Sequence, residues 1–492
     1  MNVIRHQDAL SASPRYRRGE LHEFNAGGND FIYLVSAGAI FALDEAARAV
    51  LTNMADEGVE HGALVAALCA QGHQRQDAED LIRELVLVQG IVADAPGVRQ
   101  FTSPEAPPTD FPLQALVLNI TSQCNLACTY CYEFGSDKIA TPQGKPKFMT
   151  LQTAKTSVDF LLEQSAARKA VHITFFGGET LMNFRLLRDV VLYAESQAQQ
   201  SGKAITFSLT TNATLLNDEI IDFLSDHHVG VTVSMDGPPD LQNKHRVFKN
   251  GKGSYDVIEP RLRKLIARHK SRAITARVTL TDGVTDVVRI FRHLKDDLGF
   301  HEVGFAPVTS SEKQDYSISD PDMNTVLRGF HDLAEEWLEY ALRGQMHGFS
   351  NVSETIGELT QGVNKSHPCG AGLGLLGVSP SGDLSPCHRF TDADSHTLGN
   401  INTGIDVEKR GDFLARGHIG TKYDCQTCWA RPLCAGGCHH EAFVRYGDTR
   451  HANLHYCDWI REWTDTCLKI YGVLAIQKPE FLDRFAERKP MT

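Results

Sequence analysis

Between residues 113 and 344 the chain alternates six short apolar runs with six amphipathic segments, and this alternation limits the folds open to it. The runs lie at 115–120, 171–176, 205–209, 229–235, 274–280 and 302–306. The amphipathic segments lie at 151–164, 186–199, 218–225, 255–269, 286–298 and 323–343. Short apolar runs read as buried strands and 3.6-periodic segments as helices. Strand–helix–strand order calls for parallel strands joined by right-handed crossovers. The expectation is an α/β fold, a partial (β/α)6 barrel with its chemistry on the loops at the C-terminal strand ends.

Those loops are chemically loaded. After the first run come Cys124, Cys128 and Cys131, spaced C-x3-C-x2-C. Three thiolates on one short loop can hold three irons of a [4Fe-4S] cube and leave the fourth iron open. An open position is what a catalytic metal keeps, whereas a structural zinc site would want a fourth protein ligand, and none is local. After the second run comes Phe176-Gly177-Gly178-Glu179-Thr180, whose glycines can let backbone approach a ligand closely. Ser208, Thr210, Thr211 and Asn212 end the third, and Ser234-Met235-Asp236-Gly237-Pro238 follows the fourth. Arg277 on the fifth can grip a carboxylate with both guanidinium nitrogens.

This set of motifs in this order resembles the radical S-adenosylmethionine (SAM) enzymes. In that family the open iron is chelated by the methionine end of SAM, and an electron from the cluster cleaves SAM to a 5′-deoxyadenosyl radical. The resemblance implies that Tyr130 packs on the adenine and that Gly177, Gly178 and Glu179 hold the SAM amino group. It also implies that Ser208 and Asn212 meet ribose or methionine, and that Arg277 meets the methionine carboxylate. The family more often has Pro where Thr180 stands.

From about residue 350 the cysteines thicken. Cys369 and Cys387 are followed by Cys425-x2-Cys428-x5-Cys434-x3-Cys438 and then Cys457. C-x2-C is also a zinc motif, but seven thiols do not fill two tetrahedral zinc sites. They suit one full cube and one cube with an open iron. The spacing resembles the SPASM domain of peptide-maturing radical SAM enzymes. By that resemblance Cys369, Cys387 and Cys438 hold one auxiliary [4Fe-4S] cluster, and Cys425, Cys428, Cys434 and Cys457 hold another, three clusters in all. Cys467 or a non-cysteine group could complete the open one. His388, His439 and His440 read as packing or exposed histidines, Trp429 and Trp459 as packing around the clusters, and Cys69 as a small core residue.

Residues 19–95 read as a small winged-helix-like domain. Strands at 31–35 and 39–43 precede an Asp44 N-cap, and helices follow at 45–51, 63–70 and 77–89. The pattern resembles precursor-recognition domains, in which a leader peptide adds a strand to an exposed sheet edge. Residues 96–112 are proline-rich and suit a semi-rigid linker. The barrel then spans 113–344, the cysteine-rich domain 350–470, and a tail 471–492 with one apolar turn.

Charge and cysteine content narrow the partners. The formal net charge is −12, which weighs against nucleic acid. No apolar run approaches ~18 residues, so no membrane span is expected. The polar, basic residues 1–18 lack the apolar stretch of a secretory signal. Twelve cysteines without an export signal suggest reduced thiols that bind metal, in the cytoplasm. The layout and the run from Cys131 to Ile139 look most like the maturation enzymes of quinohemoprotein amine dehydrogenase. Such enzymes join cysteine sulfur to Asp or Glu carbons in a small protein substrate, with an external flavodoxin- or ferredoxin-type electron donor. Asp236 is the expected catalytic base for the substrate thiol. Two other readings are a sulfatase-type formylglycine maturase and, from a different class, a DNA-binding iron–sulfur redox sensor. The sensor would need a basic first domain, and that segment is near charge balance.

Overall fold

The computed structural model describes residues 14–54, 58–94, 103–108, 110–141, 143–311 and 314–486. The first domain builds two small sheets. β1 (Arg15–Arg18) pairs with both β5 (Val59–Glu60) and β6 (Ile91–Ala93), while β2 (Leu21–Ala26), β3 (Asn29–Leu34) and β4 (Ala39–Ala42) form an antiparallel meander. Helices α1 (Glu45–Thr52), α2 (His61–Ala70) and α3 (Arg75–Leu87) complete it. Asp44 caps α1 by accepting the Ala47 N–H at 2.7 Å, a contact worth about 1 kcal/mol. Cys69 is exposed on α2, not buried as the sequence suggested.

The alternation along β3 decides how this domain sits. Ile32 and Leu34 point into its own core with Val50, Leu64 and Ile82. Phe31, Tyr33 and Val35 point the other way and join Phe24 and Ala26 in the core of the main body. A strand has period two, so both faces of this sheet are covered. The cover on the second face is α15 (Cys457–Gln477), where Gly472 lies so close that a Cβ would stand 2.7 Å from Ala26 and 3.1 Å from Phe31. His22 stacks on Trp429 at 3.7 Å and meets Asp465 at 2.7 Å. Glu20 pairs with Arg431. The domain is therefore docked, not tethered. Of the proline-rich segment, 96–102 and 109 lie outside the described residues. His418 Nε2 meets the Pro104 carbonyl at 3.0 Å, so the described part lies along the C-terminal region.

Six parallel strands follow: β7 (Ala115–Thr121), β8 (Ala170–Gly177), β9 (Ala204–Thr211), β10 (Gly230–Ser234), β11 (Ile274–Leu280) and β12 (Glu302–Pro307). Crossing them are α4 (Leu151–Gln164), α5 (Phe184–Gln200), α6 (Asp218–Asp226), α7 (Pro239–His245), α8 (Tyr255–Arg268), α9 (Val287–Arg292) and α10 (Asp320–Leu342). Side chains of Thr150, Asn217, Asp286 and Ser319 cap α4, α6, α9 and α10. This is the expected partial barrel. Two features were not legible: α7, a short helix after Pro238, and a further pair of strands.

That pair belongs to the C-terminal region. After α11 (Ser350–Thr360), β13 (Leu375–Val378) lies parallel to β7 and carries antiparallel β14 (Leu384–Ser385), giving one eight-stranded sheet. A small hairpin, β15 (Gly399–Asn400) and β16 (Gly404–Ile405), precedes α12 (Val407–Gly417), α13 (Arg431–Cys434), α14 (His439–Tyr446), α15 and α16 (Pro479–Ala486). Cys387 therefore follows a strand continuous with the barrel sheet. The apolar turn of the tail is the end of α15, and Phe481 and Leu482 of α16 are buried. Among the described residues no helix is long and apolar enough to cross a membrane.

Candidate active site and thiol centres

Strand alternation hollows out the barrel. Val231 and Val233, like Ala276 and Val278, pack outward against the helices. Their neighbours Thr232, Ser234, Thr275, Arg277 and Thr279 line a cavity of about 890 Å³, with Phe176, Thr210, Glu302 and Gly304. That volume lies in the range of small-molecule sites. The same cavity is lined by Cys124, Cys128, Cys131, Tyr130, Gly177, Gly178, Glu179 and Asn212, and also by Glu354, His388 and Arg389.

The three thiols are tied to the sheet by backbone. Gly178 N–H donates to the Thr121 carbonyl at 2.9 Å and Glu179 N–H to the Gln123 carbonyl at 2.8 Å. A Cβ on Gly177 would lie 2.2 Å from the Thr121 oxygen, and one on Gly178 2.3 Å from the Gln123 oxygen. These glycines are needed for backbone to lie on backbone, a different reason from ligand approach. Glu179 is fully engaged: it accepts from Leu181 N–H at 3.0 Å, Thr211 Oγ1 at 2.6 Å and Asn212 N–H at 2.7 Å. Its carboxylate fastens the third strand end to the second while the residue lines the cavity. Asn212 donates to Asn125 Oδ1 at 3.0 Å and reaches Cys124 Sγ at 3.8 Å, which makes it a partner of the thiol loop.

Two sequence expectations are corrected. Ser208 shares a face with Thr210 but lies deeper, bonded to His172 Nε2 at 2.8 Å and Thr174 at 3.1 Å. It does not line the cavity; Thr210 and Ser234 do. Asp236 is wholly buried and also lies outside the lining. Its Oδ2 accepts from Tyr130 OH at 2.5 Å and Arg246 Nε at 2.9 Å, and its Oδ1 from Thr279 N–H at 3.0 Å. Buried in the wall with three donors and an ion pair, its carboxylate is directed at protein groups, not at the cavity. It fixes Tyr130, which does face the cavity, and Arg246, whose guanidinium lies 5.4 Å from the Tyr130 ring centre. The sequence motif marked the right turn but could not show which way its carboxylate faces.

Arg277 faces the cavity without a hydrogen bond or ion pair among the described residues. It presents open surface to the hollow yet is enclosed by protein, and burial holds its pKa below the usual arginine value, with Arg389 lowering it further and Glu354 opposing. Arg389 donates to Thr309 Oγ1 at 2.6 Å and lies 4.9 Å from the Tyr132 ring centre. Arg246, Glu354 and Arg389 are site residues that sequence reading missed. Arg389 could have been suspected from its place beside Cys387; Glu354, on a helix outside the barrel motifs, gives no local signal.

The thiols sort into three groups by their mutual electrostatics. Burial, the main cause, pushes Cys124, Cys128 and Cys131 each up to about 11; Cys131 raises Cys124, Cys124 raises Cys128, and Cys128 raises Cys131. In the C-terminal region burial lifts Cys387 to about 12, with Cys369 and Cys438 adding to it. Separately, burial lifts Cys425 to about 12 and Cys457 to about 11, and Cys434 and Cys428 act on both. The groups are thus Cys369, Cys387, Cys438 and Cys425, Cys428, Cys434, Cys457. All twelve cysteines are free thiols. Among the described residues no three His, Cys, Asp or Glu converge on one metal ion. Sets of three and of four thiols are donor numbers that a [4Fe-4S] cube takes, the first leaving one iron open.

Cys467 is buried in α15 with Thr355 beside it and belongs to the core. Trp429 stacks on His22, and Trp459 stacks on Trp463 and meets Phe330 edge-on, so both serve packing. His439 and His440 are buried, with no hydrogen-bond partner for any ring nitrogen.

Residues 118–294 match the model of the Radical SAM superfamily. The cysteine-type anaerobic sulfatase-maturating enzyme of Clostridium novyi is 23% identical over 360 residues, covering 70% of this chain and 92% of that protein. The radical SAM cyclopropyl synthase TigE of Paramaledivibacter caminithermalis is 23% identical over 360 residues, covering 70% of this chain and 72% of that one. The solved structure of native anSMEcpe with bound AdoMet has a TM-score of 0.62 at 22% identity, covering 74% of this chain and all of its own. The chain carries a radical SAM domain on the fold these proteins share.

Proposed function

We propose that this chain is a radical SAM maturase that closes thioether bonds, cysteine sulfur to Asp or Glu carbon, within a small cysteine-rich protein. The small subunit of quinohemoprotein amine dehydrogenase is the substrate class it suits best. One observation carries the reading: a single cavity runs from the Cys124, Cys128 and Cys131 loop to His388 and Arg389, beside Cys387 of the second thiol group. A substrate side chain held there lies between a site for initiating chemistry and a site for removing an electron.

In this reading Cys124, Cys128 and Cys131 hold a [4Fe-4S] cluster. Tyr130 and the polar row Thr210, Thr232, Ser234, Thr275 and Arg277 receive SAM. When bound, the pair supplies hydrogen-atom removal from an unactivated carbon, chemistry no side chain can perform. The protein's own share is to fix the target carbon and exclude water. It also takes the proton that the substrate thiol must lose as sulfur bonds to carbon, while one electron leaves the adduct. Asp236 lies outside the lining; the acidic residues that line the cavity are Glu133, Glu179, Glu302 and Glu354. For the substrate's leader, β4 is an edge strand, bonded only to β3 among the described residues, and strand addition suits such an edge.

A second reading, formylglycine formation, draws support from the named sulfatase-maturating relatives. Anaerobic co-expression with a candidate cysteine-rich protein, followed by intact and fragment mass analysis, separates the two. Each thioether removes a pair of hydrogen atoms and keeps the sulfur. Formylglycine formation at a cysteine loses the sulfur, and that product would overturn the crosslinking proposal.

A further inference from the structure

We propose that Lys422 is a redox-tuning residue, a fixed ammonium at the seam between the two C-terminal thiol groups that favours the reduced state of clusters bound there. The inference rests on the reading above that these groups hold [4Fe-4S] clusters.

The placement is unusual for a lysine. Lys422 is completely buried. Its side chain lies flat over Gly436: a Cβ there would stand 2.4 Å from Cδ and 2.8 Å from Nζ. Gly436 is the midpoint of the turn from Cys434 to Cys438, where Ala435, Gly436 and Gly437 have φ of 48°, 81° and 75°. That turn leaves one thiol group and enters the other within five residues, and the ammonium covers its centre. Among the described residues Nζ makes one hydrogen bond, a long one to the Gly436 carbonyl at 3.4 Å, although an ammonium has three donors.

Among the described residues no carboxylate lies within ion-pairing distance of its ammonium. After burial, the largest influences on it are the thiols Cys425 and Cys434 from one group and Cys438 and Cys369 from the other. The other titratable side chains it acts on nearby, His439 and His367, carry no negative charge. Burying an ammonium is costly unless anions face it. An aliphatic residue would fill the space over Gly436 without that cost. What the position gains from a cation is a field shared by both groups.

The sign follows from Coulomb's law. Each added electron makes a thiolate-bound cluster more negative, so a nearby cation stabilises the reduced form more than the oxidised one. Closing a C–S bond releases one electron from the adduct, with the thiol proton lost separately. Lys422 biases that electron toward one-electron reduction of an auxiliary cluster. It is a positioning charge and touches neither substrate nor SAM.

The test is a redox titration of the anaerobically reconstituted full chain, followed by electron paramagnetic resonance with and without SAM. In Lys422→Met the signals that SAM does not perturb are expected to shift to lower potential. The reduced-to-oxidised ratio should fall about tenfold at fixed potential, about 59 mV for one electron. Lys422→Arg should keep the wild-type value, and the SAM-perturbed signal should not move in either variant. If the Met variant loses iron, Lys422→Gln, which keeps a donor to Gly436 but no charge, reads the same shift. Unchanged auxiliary potentials in a fully loaded neutral variant would overturn the proposal. A wild-type chain with iron only at the Cys124 loop would instead overturn the cluster reading on which it rests.

Discussion

The Cys124 loop draws its three thiols from eight consecutive residues, whereas the seven C-terminal thiols come from segments spread over 369–457. The first group sits on a sheet whose core runs through every barrel strand. The other two lie among short turns with small cores of their own, Ile419, Cys425, Ala435 and Ala452 in one, Phe390, Phe413 and Leu414 in the other. Buried ring nitrogens without hydrogen-bond partners also gather there, both of His439 and both of His440. Such groups cost free energy unless something else holds the region together. On the cluster reading proposed above, the difference teaches that the barrel's metal site would rest on a fold that stands by apolar burial, while the C-terminal region would be folded in part by its metal centres.

The largest expected effect separates the two regions by function. Replacing Cys124, Cys128 and Cys131 together by Ala should abolish SAM cleavage and remove about a third of the iron, with circular dichroism unchanged. Loss of the whole far-ultraviolet signal would show that the barrel also depends on its metal. Next in size is the response to iron removal. Hydrogen exchange of chelator-treated protein should speed up through 366–457 while β7–β12 stay protected; uniform loss of protection would break the comparison.

Asp236→Asn sharpens it from the barrel side. Breaking the buried pair with Arg246 should cost about 3 kcal/mol and weaken SAM binding through Tyr130. The ratio of crosslinks formed to SAM cleaved should stay at the wild-type value. Normal cleavage with no crosslink would instead restore Asp236 as the substrate's base. Phe31→Ala, on the docked face of β3, should cost about 3 kcal/mol in urea unfolding; an effect below ~0.5 kcal/mol would mean the first domain is tethered after all.

The smallest effect is the pH dependence that one barrel histidine contributes. Burial, helped by Arg272, lowers His172 to about 4, below its unfolded value near 6.5. The unfolded chain then binds the proton first, so stability is intact above that value and falls as pH drops from about 6.5 toward 4. His172's share of the loss by pH 5 should be about 2 kcal/mol, read by urea titration at pH 7 and 5 as the difference between wild type and His172→Gln, because burial also lowers His388, His396, His439 and His440.

What could be read from the chain follows the same division. Ile274–Leu280 and Leu151–Gln164 were legible to the residue because apolar period and capping act locally. The bore residues were legible in principle, since Thr232, Ser234, Thr275 and Arg277 are the polar partners in period-two strands. Ser208 was misjudged because depth along a strand leaves no mark in the pattern. Asp236 was misjudged because its three donors, from Tyr130, Arg246 and Thr279, come from distant segments. β13 escaped notice because a four-residue strand gains its identity only by pairing with β7. The docking of the first domain was hidden in β3, whose two apolar faces look like one buried strand.

The most direct test of the account is iron analysis with Mössbauer spectroscopy on the anaerobic wild-type chain and two variants, the Cys124 triplet and Cys425/Cys428, each replaced by Ala. The account expects roughly twelve irons in three cubes. The triplet variant should lack only the cube whose spectrum SAM perturbs, and the Cys425/Cys428 variant should lack only one that SAM leaves unchanged. Zinc in the C-terminal region, or the same iron loss from both variants, would contradict it.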